Sequence, residues 1–146
     1  MIALYERVST EKQDREGHSI PEQKERLEKY CSVYGWKDFA HYTDAGFSGA
    51  KTDRPALNKL LEDIEKGRVK KVLVYKLDRL SRSQKDTLWL IEDKMLANDC
   101  DFVSISENFD TSTPLGRAMI GILAVFAQLE REQIKERMSM VFSAVN

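Results

Sequence analysis

A serine and several arginines occur in two short segments whose chemistry would suit a phosphate. The first segment is Tyr5-Glu-Arg-Val-Ser-Thr10, and the second is Tyr75-Lys-Leu-Asp-Arg-Leu-Ser-Arg82. A serine hydroxyl can act as a nucleophile, while guanidinium groups bind phosphate oxygens through paired hydrogen bonds and stay charged. Together the segments predict a phosphoryl-transfer site that draws on Arg7, Ser9, Lys76, Asp78, Arg79 and Arg82.

Apolar runs that alternate with amphipathic stretches supply the elements that must position these residues. The sequence predicts strands at Ile2–Tyr5, 36–43, Val69–Tyr75 and Asp101–Ser106, and helices that begin near Ser19, Asp53, Gln84 and Ser112. This alternation is typical of an α/β domain with a mostly parallel central sheet and helices on both faces. Parallel strands end at one edge of the sheet, so the loops after Tyr5 and Tyr75 are expected to meet there.

Capping residues mark where the first helix begins and ends. Ser19 can accept a hydrogen bond at the helix start, Pro21 suits the first turn, and Glu22 stands three positions after the serine. Gly35 provides the stop, because glycine readily adopts the left-handed conformation that ends a helix.

The last helix is long for a chain of this size. It is predicted to run from Ser112-Thr113-Pro114 to Asn146, which corresponds to roughly 50 Å at the usual rise per residue. We therefore expect an α/β core over residues 1–112 and a projecting interface helix over 113–146. No proline or glycine stops this helix, which indicates a chain cut from a longer protein.

Charge is unevenly distributed along the 146 residues. The formal net charge is −1, which by itself argues against a nucleic-acid binder. The segment Lys66–Lys85, however, holds eight cations and one anion, and such a stripe suits a polyanionic partner. The alternative is an ordinary solvated face of the protein.

Several function classes are excluded by missing motifs. The sequence has no P-loop, no Gly-x-Ser-x-Gly elbow and no His-Glu-x-x-His pair. Cys31, Cys100, His18 and His41 are in no metal-like spacing, so we expect neither a metal nor another cofactor and two buried thiols. No apolar run reaches membrane-spanning length and no signal peptide is evident, which predicts a cytoplasmic protein without a membrane partner.

Seven landmarks occur in the order and spacing of one known family. They are Tyr5-x-Arg7-Val-Ser9-Thr10, Gln13, Ser19-Ile-x-x-Gln23, Tyr42-Thr-Asp44-x-Gly-x-Ser48-Gly49, Asp53-Arg54-Pro55, Tyr75-Lys-Leu-Asp78-Arg79-Leu-Ser-Arg82 and Leu129-Glu-Arg131-x-x-Ile-x-Glu136-Arg137. Over its whole length the chain resembles the catalytic domain of serine site-specific recombinases of the resolvase/invertase family. The loops at residues 17–20 and 44–49 look more like those of large serine integrases and transposases than those of small resolvases.

The resemblance implies a role for each matched residue. Ser9 would attack a DNA phosphodiester, giving a 5′-phosphoserine link and a free 3′-hydroxyl, while Arg7, Arg79 and Arg82 would bind the phosphate and Asp78 would orient them. The supporting active-site positions would be Tyr5, Gln13, Gln23, Asp44 and Arg54. The positions that approach DNA or a second subunit would be Lys76, Arg131, Glu136 and Arg137.

The resemblance also implies an assembly. Family members act on double-stranded DNA as homodimers that pair into a tetramer, exchange strands and religate without a cofactor, since the phosphoserine link conserves the bond energy. No DNA-reading module follows the matched region in this sequence. Glu6 departs from the family pattern, and we expect it to point away from the site because neighbouring strand residues face opposite sides.

Three points stay open at the level of sequence. The general base for Ser9 could be Asp44, water or a neighbouring arginine. The chain could instead be a non-catalytic dimerisation and DNA-approach module that has lost its chemistry. A flavodoxin-like phosphate-binding domain is a third interpretation, which the absence of a glycine-rich loop disfavours.

Overall fold

A five-stranded sheet forms the centre of the computed structural model, which describes residues 1–8, 19–46 and 54–145. The strands are β1 (Ile2–Val8), β2 (Phe39–Ala45), β3 (Lys71–Val74), β4 (Asp101–Ser104) and β5 (Phe109–Asp110). Their order across the sheet is β2-β1-β3-β4-β5. The first four are mutually parallel, and β5 runs antiparallel to β4. The mostly parallel sheet is therefore confirmed, with a short antiparallel edge strand that the sequence pattern did not reveal.

Within the described residues, five α-helices accompany the sheet. They are α1 (Ile20–Val33), α2 (Pro55–Glu65), α3 (Leu77–Leu80), α4 (Gln84–Trp89) and α5 (Pro114–Val145). A π-helical turn over Leu90–Met95 and a 3₁₀ turn over Leu96–Asn98 continue α4, so the single helix predicted here is irregular in its second half. It ends at Asp99, whose φ of 57° is left-handed.

The two faces of the sheet are covered by different helices. On one face, Leu4, Leu73 and Val103 pack against Leu27 and Cys31 of α1. On the opposite face, a larger core joins the sheet to α2, to the helical run after α4 and to α5. The prediction of helices on both faces is confirmed.

Both predicted buried thiols are confirmed as free and buried. Cys31 belongs to the core under α1, and Cys100 to the larger core on the other face. Burial raises the pKa of the Cys100 thiol to about 12, because the thiolate would be poorly solvated there.

Local capping explains the bounds of α1. The Ser19 hydroxyl accepts the Glu22 N–H at 3.4 Å, and Pro21 occupies the first turn. Gly35 follows the helix with a φ of 73°, a conformation that glycine adopts without steric cost. The predicted start and stop of this helix are both confirmed.

Helix α5 begins on the body of the domain and then leaves it. Its first turn lies so close to β5 that a Cβ on Gly116 would stand 1.7 Å from the Asp110 carbonyl oxygen. Leu123 and Ala127 are still buried, whereas every side chain over 131–141 is exposed. The projecting C-terminal helix is thus confirmed.

Candidate active site

Arg7 lies where β1 extends past its neighbour β3, whose pairing with β1 ends at Tyr5 and Val74. Its guanidinium reaches across this gap to the turn formed by α3. The Nε–H donates to the Arg79 carbonyl oxygen at 3.0 Å, and Nη2 donates to the Asp78 carbonyl oxygen at 2.6 Å. The expectation that Arg7 meets the segment after Tyr75 is therefore confirmed.

Arg54, just before α2, converges on the same turn. Its Nη2 donates to the Arg79 carbonyl oxygen at 3.1 Å and to the Tyr5 hydroxyl at 2.8 Å, and its Nε lies 3.2 Å from the same hydroxyl. The Arg79 carbonyl thus accepts hydrogen bonds from both Arg7 and Arg54. One backbone oxygen of α3 holds two cationic side chains from two other elements.

Asp44 at the end of β2 fixes both Tyr5 and α2. One carboxylate oxygen accepts the Tyr5 hydroxyl at 2.7 Å and the Leu57 N–H at 3.1 Å, and the other accepts the Ala56 N–H at 2.8 Å. Arg54, at the N-cap position of α2, makes no capping hydrogen bond with its side chain. Asp44 therefore caps this helix from a neighbouring strand. A carboxylate at this place is also stabilised by the helix dipole, whose positive end is at the N-terminus.

The tyrosine between these groups is kept neutral. Tyr5 is fully buried, and its pKa is raised well above its usual value, chiefly because burial disfavours the phenolate. The hydroxyl consequently serves as a fixed donor to Asp44 and acceptor from Arg54.

Gln23 of α1 forms hydrogen bonds with the Arg7 backbone, where β1 is no longer paired with β3. Its side-chain oxygen accepts the Arg7 N–H at 3.3 Å, and its amide nitrogen donates to the Arg7 carbonyl oxygen at 3.1 Å. The side chain is fully buried. This pair of bonds holds the end of strand β1 against α1, two positions before Ser9 in the sequence.

Arg7 and Arg54 keep their positive charge open to the cleft, because the oxygens to which they donate hydrogen bonds belong to carbonyl groups and a neutral tyrosine. Burial lowers the pKa of the Arg7 guanidinium, and the charges of Arg54 and Arg82 lower it further. In the described part of the chain, the hydrogen bonds of the Arg7 guanidinium go to carbonyl oxygens rather than to a carboxylate. An anion placed here would relieve this repulsion and gain charge-assisted hydrogen bonds.

A cleft of about 560 Å³ opens over these arginines. Arg7, Arg54 and Arg82 line one part of it, and Leu57 and Leu61 of α2 line another. The remaining lining residues are Asn58, Ser81, Ser83, Asp86, Trp89 and Leu90. Three cationic groups therefore share a space large enough for a phosphate and part of a nucleotide.

The remaining predicted residues of the second segment lie around the same turn. Arg79 is 6% exposed, and its Nε is 3.6 Å from the Asp78 carboxylate. The Lys76 ammonium lies 5.9 Å from the centre of the Tyr75 ring. Ser9 and Gln13 lie outside the described residues.

The predicted interface residues stand apart from the cleft on α5. Arg131 donates to the Gln128 side chain at 2.6 Å along its own helix. Glu136 and Arg137 are exposed on the projecting part. The structure does not bring these three residues into contact with the arginine cluster.

Glu6 points away from the site, as expected. It is fully buried on the α1 side of β1, where its carboxylate lies 2.8 Å from His41 Nδ1 and accepts the Thr43 hydroxyl at 2.7 Å. The other ring nitrogen of His41 lies 2.8 Å from the Glu28 carboxylate. The sequence offered no sign of this cluster, because its members come from three separate elements.

Glu107 is a second residue that sequence reasoning missed. One of its carboxylate oxygens accepts the Leu77 N–H at 3.2 Å, at the start of α3. The other accepts the hydroxyl of Ser104. Thirty residues separate Glu107 from Leu77, so no local motif could have indicated this contact.

Two further expectations can be compared with the described residues. Within them, no group of three or more histidine, cysteine, aspartate or glutamate side chains is arranged to hold a metal ion. Among the helices of the described segments, none combines the length and apolar character that crossing a bilayer requires.

Comparison with known protein families matches residues 2–144 to the family described as Resolvase, N terminal domain. A putative DNA recombinase of Bacillus subtilis (strain 168) is 39% identical over 139 residues, which make up 95% of this chain and 27% of that protein. A DNA-invertase of Enterobacteria phage P7 is 34% identical over 137 residues, which cover 94% of this chain and 66% of the invertase. The chain thus spans less than two thirds of either relative.

Two solved structures share the fold over nearly the whole chain. The N-terminal catalytic domain of TP901-1 integrase is 50% identical with a TM-score of 0.80, covering 90% of this chain and 97% of that domain. A resolvase family site-specific recombinase from Streptococcus pneumoniae is 31% identical with a TM-score of 0.83, covering 99% and 98% of the two chains.

Proposed function

The chain belongs to the Resolvase, N terminal domain family, and from this premise we propose that it is the catalytic domain of a serine recombinase that breaks and rejoins DNA at specific sites. Relatives named as a DNA-invertase, a serine recombinase and a resolvase support this activity. The observation that carries the proposal is the Arg7 guanidinium, which is aimed by two carbonyl oxygens and stands two positions before Ser9.

Ser9 is the proposed nucleophile. Its hydroxyl oxygen forms a bond to the phosphorus of a DNA phosphodiester while the bond from phosphorus to the 3′-oxygen breaks. The serine loses its proton, and the leaving 3′-oxygen gains one. Because one phosphodiester replaces another, the reverse attack by a 3′-hydroxyl reseals DNA without an external energy source.

The arginines of the cleft would stabilise the transition state. Negative charge grows on the non-bridging oxygens during transfer, and fixed cations placed in advance bind that charge without reorganising. Arg7 and Arg82 line the cleft with Arg54. In this proposal Arg79 and Asp78 act at the same turn, where Arg79 is largely buried.

The supporting residues would act by position. Asp44 already accepts three hydrogen bonds and is 2% exposed, so we assign it to holding Tyr5 and α2 rather than to accepting the serine proton. Gln23 would hold the backbone that leads to Ser9. Gln13 is proposed to assist the site on the basis of the family resemblance alone.

Helix α5 is the proposed interface between subunits. Its exposed apolar residues include Ile122, Val125, Phe126, Leu129, Ile134, Met138, Met140 and Val141. Such a surface on a projecting helix suits a homodimer, and two dimers on DNA would form the tetramer that exchanges strands. Arg131, Glu136 and Arg137 would lie near this interface or the DNA, Lys76 would contact DNA, and the protein would work in the cytoplasm.

Among the recombinase types, an integrase is favoured. The catalytic domain of TP901-1 integrase is 50% identical, compared with 31% for the resolvase family recombinase from Streptococcus pneumoniae. This difference agrees with the resemblance of the sequence at residues 17–20 and 44–49 to large serine integrases and transposases rather than small resolvases.

Covalent trapping tests the proposed reaction. We would incubate the protein with randomly nicked DNA from either side of its gene. Where a nick lies just 5′ of the cleavage point, the short piece that carries the new 3′-hydroxyl dissociates, and resealing is prevented. After proteolysis, mass spectrometry should find a nucleotide phosphate on the peptide that contains Ser9. The adduct should disappear in Ser9→Ala and persist in Ser83→Ala, which removes a hydroxyl from the wall of the cleft.

Two results would count against this proposal. An adduct on Ser83 would mean that the nucleophile is misassigned. DNA binding without any adduct would favour the non-catalytic dimerisation and DNA-approach module.

A further inference from the structure

Helix α3 is too short to hold itself in place. It has four residues, and Lys76, at its N-cap position, makes no capping hydrogen bond with its side chain. A single helical turn gains too few hydrogen bonds to offset the entropy of ordering it. Nevertheless, its Asp78 and Arg79 carbonyl oxygens are the groups that aim Arg7 and Arg54.

Glu107 supplies the cap that α3 lacks. Its carboxylate accepts the Leu77 N–H at 3.2 Å and, through its other oxygen, the hydroxyl of Ser104. Ser104 is fully buried at the end of β4. The carboxylate therefore ties the first residue of α3 to the rigid sheet.

The turn that carries Glu107 is itself well fixed. The Ser106 N–H donates to the Tyr75 carbonyl oxygen at 2.9 Å, and the Asn108 N–H donates to the Ile105 carbonyl oxygen at 3.2 Å. Asn108 has a φ of 54°, a left-handed conformation that asparagine tolerates better than most residues. Glu107 is thus presented to α3 from a defined backbone.

We propose that Glu107 is a positioning residue: it sets the place of α3 so that the Asp78 and Arg79 carbonyls orient Arg7 and Arg54. The consequence for catalysis rests on the proposed function, whereas the contact between Glu107 and α3 does not. Asp44 plays the corresponding part for α2. The starts of α2 and α3, which both lie next to the cleft, are then each held by a carboxylate from another element of the fold.

Length and charge of the side chain can be separated by substitution. In Glu107→Gln the amide oxygen can still accept the Leu77 N–H, and the amide N–H can donate to Ser104. In Glu107→Asp the charge is kept, but the carboxylate is one methylene too short to span both partners. Glu107→Ala removes both bonds, and Glu65→Ala is a matched control on the exposed end of α2.

Nuclear magnetic resonance of the ¹⁵N-labelled protein reads the proposed effect directly. The Nε–H signals of Arg7 and Arg54, assigned with Arg7→Lys and Arg54→Lys, should be slow to exchange with water because both donate hydrogen bonds in the fold. We expect Glu107→Ala and Glu107→Asp to shift both signals and speed their exchange. Glu107→Gln and Glu65→Ala should resemble the wild type. Thermal melting of each variant establishes that it is folded at the temperature at which the spectra are recorded.

Affinity for a thymidine dinucleotide, a small phosphodiester, gives a second reading on the same samples. Loss of an oriented charged hydrogen bond should weaken binding about tenfold in Glu107→Ala and Glu107→Asp, with recovery in Glu107→Gln. Unchanged arginine signals in Glu107→Ala, or in Glu107→Asp if the first does not fold, would overturn the positioning role. If the arginine signals shift in the Glu107 variants but the wild-type protein does not bind the dinucleotide, the positioning role would stand and the proposed function would be contradicted.

Discussion

The two sides of strand β1 hold adjacent ionisable residues, a buried glutamate and a half-buried arginine, in opposite kinds of surroundings. Glu6 faces α1, where a histidine and a hydroxyl lie against its carboxylate. Arg7 faces α3, where its hydrogen bonds in the described structure go to two backbone carbonyls. The Glu6 carboxylate thus lies against a titratable protein group, whereas the hydrogen bonds of the Arg7 guanidinium to described residues go to backbone dipoles.

This difference in partners indicates a structural role for the Glu6 side of the strand and a ligand-binding role for the Arg7 side. A buried charge matched by a neighbouring titratable group needs no ligand, and it serves the fold. A half-buried cation whose hydrogen bonds to described residues go to carbonyl dipoles keeps its positive charge available to an anion. Arg54 likewise donates its hydrogen bonds to neutral oxygens, those of the Tyr5 hydroxyl and the Arg79 carbonyl. The positive charge available to an anion therefore comes from more than one residue of the cleft.

Replacing Arg7 with lysine should have the largest effect, because it keeps the charge and removes the orientation. A lysine ammonium cannot form the fork that contacts the Asp78 and Arg79 carbonyls while presenting a second pair of donors to phosphate. We expect the rate of phosphoserine formation to fall by at least about 100-fold, measured by single-turnover adduct formation on nicked DNA.

Arg68→Lys is the matched control for that comparison. Arg68 is exposed and precedes β3, at the edge of the sheet opposite the cleft. Its replacement should leave the adduct rate unchanged. If Arg7→Lys reacted as fast as Arg68→Lys, the oriented-cation account of the cleft would be wrong.

Asp44→Asn should have an intermediate effect, on stability. An asparagine offers one oxygen where the carboxylate offers two, so its NH₂ group would face the Tyr5 hydroxyl or a helix N–H. The free energy of unfolding should fall by about 1–3 kcal/mol, measured by urea denaturation. Asp99→Asn, at an exposed left-handed position that asparagine tolerates, should be nearly neutral. Equal stabilities of the two variants would remove Asp44 from its capping role.

Most of the fold was predictable because its signals are local. Apolar periodicity and caps such as Ser19 and Gly35 fix α1 within a short stretch of chain. The elements that were missed, α3 and β5, have four and two residues and carry no period of their own. They exist because neighbouring elements hold them, which a local pattern cannot express.

The site divides along the same line. The arginines and Asp44 could be named from motifs and from family resemblance, and the edge rule for parallel sheets placed Arg7 beside the second segment. What Asp44 contacts could not be read from its motif, since its partners lie on β1 and α2. Glu107 was missed for the same reason: its function lies in a contact made thirty residues away.

The smallest expected effect concerns the side of β1 that faces α1, where Glu6 is buried. Both ring nitrogens of His41 lie 2.8 Å from carboxylate oxygens, yet a neutral imidazole has only one N–H, so the Glu6–His41–Glu28 cluster requires an extra proton on one of its members. Burial raises the pKa of Glu6 above its usual 4.5. The folded protein therefore holds this proton more tightly than the unfolded chain.

It follows that this contribution to stability is complete below the ordinary pKa of Glu6 and is lost as the pH rises through the raised value. Glu6→Gln keeps the hydrogen bond from Thr43 and removes the titration, so its free energy of unfolding should decline less between pH 4.5 and pH 8 than that of the wild type. Urea denaturation at several pH values measures the difference, with Glu28→Gln, on the exposed side of the same histidine, as the control. Parallel profiles for wild type and Glu6→Gln would mean that the proton of the cluster resides elsewhere, and that the two sides of β1 differ less than their contacts indicate.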